Sequence, residues 1–257
     1  MNKRLLVLGQ IIGIFTLFQL ISLFVGYILI GVNPNTMSYN SKLLISFFCA
    51  QILWFIASLI LIKLWSISYD FKIKPFSFKV FRAVVLIGLS TYFLYEIFDI
   101  VFLFKKAFKG VLAFHEFVQK PINGISHFIF ELLVTVVLGP LIEEIFYRKV
   151  IFTKLKTFFS LRISIIITSV LFSFMHLDFD GLIHYFIIGV LLTYTYHLTK
   201  SLALNVIYHA LLNLLTFFTI KSDIPFTDRS IMMCILFYIV CFTCLFQSLK
   251  FLKSQNL

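Results

Sequence analysis

The sequence predicts an all-α integral membrane protein: a bundle of about eight transmembrane helices with both termini in the cytoplasm. Three observations carry that expectation. Of the 257 residues, 61% are hydrophobic and 13% charged, roughly half the charge of a soluble domain, so lipid is the solvent for most of the surface. The apolar residues form continuous runs close to the ~20 residues a helix needs to cross a bilayer, and over such lengths only helices satisfy their own backbone in lipid. Finally, Lys and Arg are sorted between alternate loops. The inner segments hold Lys3, Arg4, Lys63, Lys72, Lys74, Lys79, Arg82, Arg148, Lys149, Lys154, Lys156, Arg162, Lys200, Lys250 and Lys253. The outer ones hold Lys42, Lys105, Lys106, Lys109, Lys120, Lys221 and Arg229. The positive-inside rule then orients the chain, and the net charge of +11 reads as basic loops beside anionic lipid rather than a nucleic-acid surface.

The runs are Leu5–Ile30, Leu43–Leu64, Ala83–Phe104, Ser126–Tyr147, Ile163–Leu177, Leu182–Leu198, Leu202–Ile220 and Ile231–Phe251. The first follows Lys3 and Arg4 like a signal peptide, but it is too long for one and lacks a small-x-small cleavage site, so it is a membrane anchor. Residues 105–124 form an interfacial amphipathic segment. Cys49, Cys234, Cys241 and Cys244 lie inside apolar runs as small buried residues rather than a redox pair. The expected layout is 1–124 for the N-terminal helices and interfacial segment, 125–220 for the functional core and 221–257 for the last helix.

Ionisable groups inside the runs need a reason, because each costs roughly 2.5–3.5 kcal/mol at a helix centre on insertion scales. They are Glu96 and Asp99 in the third run, His127, Glu131, Glu143 and Glu144 in the fourth, His176 in the fifth, His184 and His197 in the sixth, and His209 in the seventh. His127, His184 and His197 read as interhelical hydrogen bonds, and Glu96/Asp99 and His127/Glu131 as structural pairs or, second to that, a proton path. Residues four apart share a helix face, whereas neighbours point about 100° apart. Glu144 therefore stacks on Arg148 as an ion pair, and Glu143 faces elsewhere. Pro140 removes an amide donor and loosens the turn leading into Glu143, a break tolerated where protein or a wet cavity covers it.

Phe172 and His176 are also four apart, as are His209 and Asn213. With a turn near Phe159-Ser160, Glu143 lies roughly 24 Å before it and His176 roughly 25 Å after it, at one depth. From a turn near Lys200-Ser201, His209 and Asn213 sit roughly 12 and 18 Å in. Glu143, His176, His209 and Asn213 can then converge from three helices.

At these residues the chain resembles the CPBP family of intramembrane proteases, which includes the type II CAAX prenyl endopeptidases, bacteriocin-processing and immunity proteins, and Abi proteins. The family pattern E-E-x-x-x-R, F-x-x-x-H, H-x-x-x-N reads here as Glu143-Glu144…Arg148, Phe172…His176 and His209…Asn213, within about 125–220. Lys149 replaces the family's usual glycine after the arginine.

The resemblance implies hydrolysis of a peptide bond at the membrane, on CAAX-type, leader, pheromone or bacteriocin-precursor peptides. On that reading Glu143 and His176 activate a water, His209 and Asn213 stabilise the oxyanion, and Glu144 and Arg148 hold the helix. Two chemistries fit: a metal-free form, which the amide of Asn213 favours, and a zinc form in which Glu143, His176 and His209 bind the ion and Glu144 acts as base. H-E-x-x-H, G-x-S-G and paired-aspartate signatures are absent. The rival reading is a non-catalytic membrane scaffold that regulates a sensor kinase or confers bacteriocin immunity. A transporter is disfavoured by the lack of repeat symmetry.

Overall fold

The computed structural model describes residues 3–31, 39–67, 76–97, 125–179, 181–222 and 231–255. All regular structure among them is helical: α1 (Lys3–Gly31), α2 (Tyr39–Leu64), α3 (Phe78–Ile97), α4 (125–156), α5 (Leu161–Met175), α6 (Leu182–Thr199), α7 (Leu202–Ser222) and α8 (Ile231–Ser254). Among the described residues, four stretches suffice by length and composition to cross a membrane: Lys3–Leu29, Leu44–Leu64, Leu182–Thr199 and Leu236–Ser254. α5 and much of α7 add shorter apolar helices. The protein is therefore a multi-pass membrane protein. The interfacial segment at 105–124 and Asp99 lie outside the described residues, as do the side chains of Glu96, His127 and Cys234.

The chain divides into two compact units, one of Met1–Asp70 and Glu116–Leu171, the other of Phe71–His115 and Phe172–Leu257. In the first, α2 is the hub. Gly26 of α1 lies so near Ser46 that a Cβ there would come within 2.8 Å of its hydroxyl. Further along, Trp54 meets Phe15 and Phe18 of α1 at 5.9 and 5.8 Å and Phe146 of α4 at 4.5 Å, the last edge-on. Such ring pairs add about 0.5–1.5 kcal/mol each beyond burial, so one tryptophan ties three helices together.

α4 is one continuous helix that changes its winding. Ile125–Leu132 is α-helical, Leu133–Leu138 is π-helical, Gly139–Glu144 returns to α, Ile145–Phe152 is π again and Thr153–Lys156 closes as α. π-helix is rare and concentrates at functional sites. Pro140 sits between the two π stretches, where it has no N–H to contribute, and the Gly139 N–H reaches back five residues to the Val134 carbonyl. The loosened turn that proline predicts is thus realised as altered winding on both sides of the glutamates. The following turn falls at Thr157–Ser160, where the Thr157 and Phe158 amides bond the Lys154 and Leu155 carbonyls. There Lys154 lies over the rings of Trp65 and Phe158. Farther along the hairpin the Tyr147 hydroxyl donates to the Leu171 carbonyl at 3.4 Å.

In the second unit α3 packs on α7 and α8. Gly88 admits α7 closely, since a Cβ would stand 3.0 Å from Leu211 and 3.2 Å from Tyr208. Beside it the Thr91 hydroxyl donates to the Ile87 carbonyl at 2.7 Å. Its one proton is spent, so Tyr208 must donate in the 2.9 Å bond between the two hydroxyls. The Ser173 hydroxyl bonds the Leu182 carbonyl at 2.6 Å, anchoring the start of α6. α6 ends at Lys200, whose left-handed backbone (φ 49°) returns its amide to the Tyr196 carbonyl, and Ser201 caps α7 through the Leu204 amide.

Candidate active site

The two adjacent glutamates of α4 have different surroundings. Arg148 Nη1 donates to Glu144 Oε1 at 2.6 Å, and both side chains are 0% exposed. Breaking a buried pair of this kind leaves one charge uncompensated, at about 3–5 kcal/mol, so the pair acts as a lock on α4. Glu143 points instead to α2, where Gln51 Nε2 donates to its Oε1 at 3.4 Å. Gly139, one turn back, makes room for this approach: its Cβ position lies 3.7 Å from Gln51 Nε2 and 3.8 Å from Glu143 Oε1. The division between Glu144 and Glu143 expected from helix geometry is therefore present, and the facing group is a neutral amide.

The histidines belong to the second unit. His176 ends α5: its Nδ1 lies 2.8 Å from the Phe172 carbonyl oxygen. A carbonyl only accepts, so Nδ1 carries the proton, and in the neutral ring the lone pair is at Nε2. The ring stacks on Tyr185 of α6 at 3.9 Å and 15°, which fixes its plane. Leu177 directly after it has φ 52°, a left-handed conformation that costs a non-glycine residue about 1–2 kcal/mol. That turn ends α5 at the histidine.

Phe172 meets His176 at 4.8 Å and His209 of α7 at 5.6 Å, both edge-on. The shared face of Phe172 and His176 thus also receives His209. His209 is buried, with Tyr208 locked to α3 beside it. Asn213 is half-buried one turn further along α7, and Asn205, one turn before His209, is fully buried.

Among the remaining sequence candidates, Glu131 is buried, and the Thr135 hydroxyl caps its carbonyl. His184 and His197 are half-buried beside Tyr185 and Tyr194, and Lys149 is half-buried. Three residues escaped the sequence reading. Gln51 carries no charge and was hidden in an apolar run, although an amide at mid-span is itself a signal. Tyr185 and Asn205 gave no sign beyond their spacing from His184 and His209. Within each unit no three His, Cys, Asp or Glu side chains among the described residues are grouped as metal ligands.

A family model for type II CAAX prenyl endopeptidases of the Rce1-like type matches residues 125–215. Over these residues the chain is similar to the Rce1-like members of the CPBP proteases. Two curated proteins are similar to it. The membrane-embedded CAAX protease MroQ of Staphylococcus aureus (strain USA300) is 36% identical over 83 residues, 30% of this chain and 34% of that protein. The putative membrane peptidase YdiL of Bacillus subtilis (strain 168) is 30% identical over 82 residues, 32% of this chain and 34% of that protein. The chain thus aligns with about a third of each relative's length. No solved structure matches it. The matched residues include both glutamates, Arg148, Phe172, both site histidines and Asn213.

Proposed function

We propose that the chain hydrolyses a peptide bond of a membrane-associated peptide or protein, using a water activated by Glu143 with His176. One observation carries the reading: Arg148 goes to Glu144, while Glu143 faces the neutral amide of Gln51. A carboxylate so placed is suited to take a proton.

In the reaction the water oxygen bonds to the substrate carbonyl carbon as Glu143 accepts a water proton. His176 Nε2, held by the Phe172 carbonyl and the Tyr185 ring, orients the same water. His209 and Asn213 donate to the oxyanion, where one preorganised donor is worth about 2.7–4 kcal/mol. The C–N bond then breaks and Glu143 returns its proton to the leaving amine. This requires Glu143 and the histidines to reach one substrate carbonyl. The sequence count from a turn near Phe159-Ser160, which sets Glu143 and His176 at one depth, supports that.

The donor set also fits zinc, because metal-bound histidines characteristically give their second N–H to a carbonyl, as His176 does. Glu143, His176 and His209 would hold the ion, and it would supply Lewis acidity to the water. The metal-free form is favoured by the amide of Asn213, which donates well to an oxyanion and ligates zinc poorly.

The test is cleavage by purified protein of farnesylated CAAX peptides, leader-type peptides and membrane-anchored pheromone-type peptides, with wild type, Glu143→Ala and His209→Ala, each with and without chelator. Loss in both variants with chelator insensitivity supports the metal-free form, and chelator loss restored by zinc supports the metal form. Cleavage that survives Glu143→Ala contradicts both.

A further inference from the structure

We infer that Gln51 is a positioning residue for the general base: its amide N–H orients the Glu143 carboxylate toward the attacking water. The inference rests on the reading of Glu143 as base.

Gln51 lies in the middle of α2, is 1% exposed, and belongs to the same unit as Glu143. A neutral amide buried among apolar side chains needs partners at both ends, because an unsatisfied polar group costs about 1–3 kcal/mol by protein mutational data. Gln51 has one: Nε2 donates to Glu143 Oε1. Its Oε1 has no hydrogen-bond partner among the described residues and is shielded from solvent. Packing alone does not favour such a residue, since methionine would fill the same length of α2 without the cost.

The structure also keeps a place for this amide. Gly139 sets its bare backbone against Gln51 Nε2 and Glu143 Oε1, where a Cβ would in addition come within 3.2 Å of the Val134 carbonyl. The π-helical stretches on either side of Gly139–Glu144 alter the winding of the helix that presents Glu143.

A carboxylate takes the proton of an attacking water along a defined lone pair, so the plane of the Glu143 carboxylate sets where that water stands. Nε2 donating to Oε1 fixes that plane from α2. A neutral amide N–H does this without competing for the proton. A misplacement of about 1 Å in such an arrangement can cost ~100-fold in rate.

The experiment compares wild type, Gln51→Met, Gln51→Glu and Glu143→Gln as full chains in nanodiscs, with two readouts. The first is steady-state cleavage of a farnesylated quenched-fluorescent CAAX peptide, or of whichever of the three peptide classes above the wild type cleaves. The expected result for Gln51→Met is a kcat lower by about 10–100-fold, KM within about two-fold and an undiminished Tm, with no rescue by Gln51→Glu, which keeps the length and the acceptor but loses the donor. A merely structural glutamine would move Tm and leave kcat alone.

The second readout needs no substrate. The Glu143 carboxylate stretch, isolated as the infrared difference between wild type and Glu143→Gln, should shift when Gln51→Met removes its donor. Wild-type kcat in Gln51→Met while Glu143→Gln is inactive overturns the role of Gln51 alone, as does an unshifted carboxylate band. Full cleavage by Glu143→Gln overturns the underlying reading of the site instead.

Discussion

α1 and α4 both read as apolar runs, yet they solve opposite problems. α1 contains no charged residue beyond its first two, Lys3 and Arg4, winds as a regular α-helix, and leaves Leu17, Leu20, Phe24 and Tyr27 exposed on its outward side. α4 carries Glu131, Glu143, Glu144 and Arg148, all buried, and alternates between α and π winding. In a membrane protein the side chains that lipid would reject are those the fold must cover, so polarity marks the interior and apolarity the surface. The catalytic proposal follows that inversion: the chemistry belongs to the helix least suited to face lipid.

The contrast can be broken or sharpened by substitution, and the largest expected effect is at the ion pair. Arg148→Met should destabilise by about 3–5 kcal/mol by leaving Glu144 buried and uncompensated, read as a lower Tm in detergent. The double variant Glu144→Leu/Arg148→Met should recover most of that loss. Failure to recover would show that the pair does more than neutralise itself. Next is Gly139→Leu, which forces bulk against Val134 and Gln51 and should cost about 1–3 kcal/mol as overpacking, again by Tm. In the second unit, Tyr208→Phe removes the donor to Thr91 and should cost about 0.5–1.5 kcal/mol. At the other extreme, Leu20→Ala on the outer face of α1 should stay within about 0.5 kcal/mol. A loss at Leu20 as large as that at Gly139 would mean that α1 is buried against another chain.

Much of this was legible in the sequence because it depends on local geometry. The helix runs, the turns at 157–160 and 200–201, the Glu144–Arg148 pair and the common face of Phe172 and His176 all follow from spacings of three to four residues and from turn chemistry. The π winding was not legible. Pro140 announced a loosened turn, but which carbonyls move to five-residue partners is decided by packing against α2. Gln51 escaped because attention to charge overlooks a neutral amide, and its importance comes from Glu143, 92 residues away. The stacking of Tyr185 on His176 likewise joins two helices across a turn whose left-handed Leu177 has no sequence signature. Long-range partners, unlike i,i+4 ones, are chosen by the tertiary fold.

The central claim is that adjacent glutamates divide the labour, Glu143 for chemistry and Glu144 for structure. Its most direct test is to measure Tm and cleavage rate for Glu143→Gln and Glu144→Gln side by side. The account predicts that Glu143→Gln keeps its Tm and loses about 10²–10⁴-fold in kcat, the usual range for a general base, whereas Glu144→Gln loses Tm and retains measurable turnover while folded. A Glu143→Gln variant that cleaves normally, beside a stable but inactive Glu144→Gln, would contradict it.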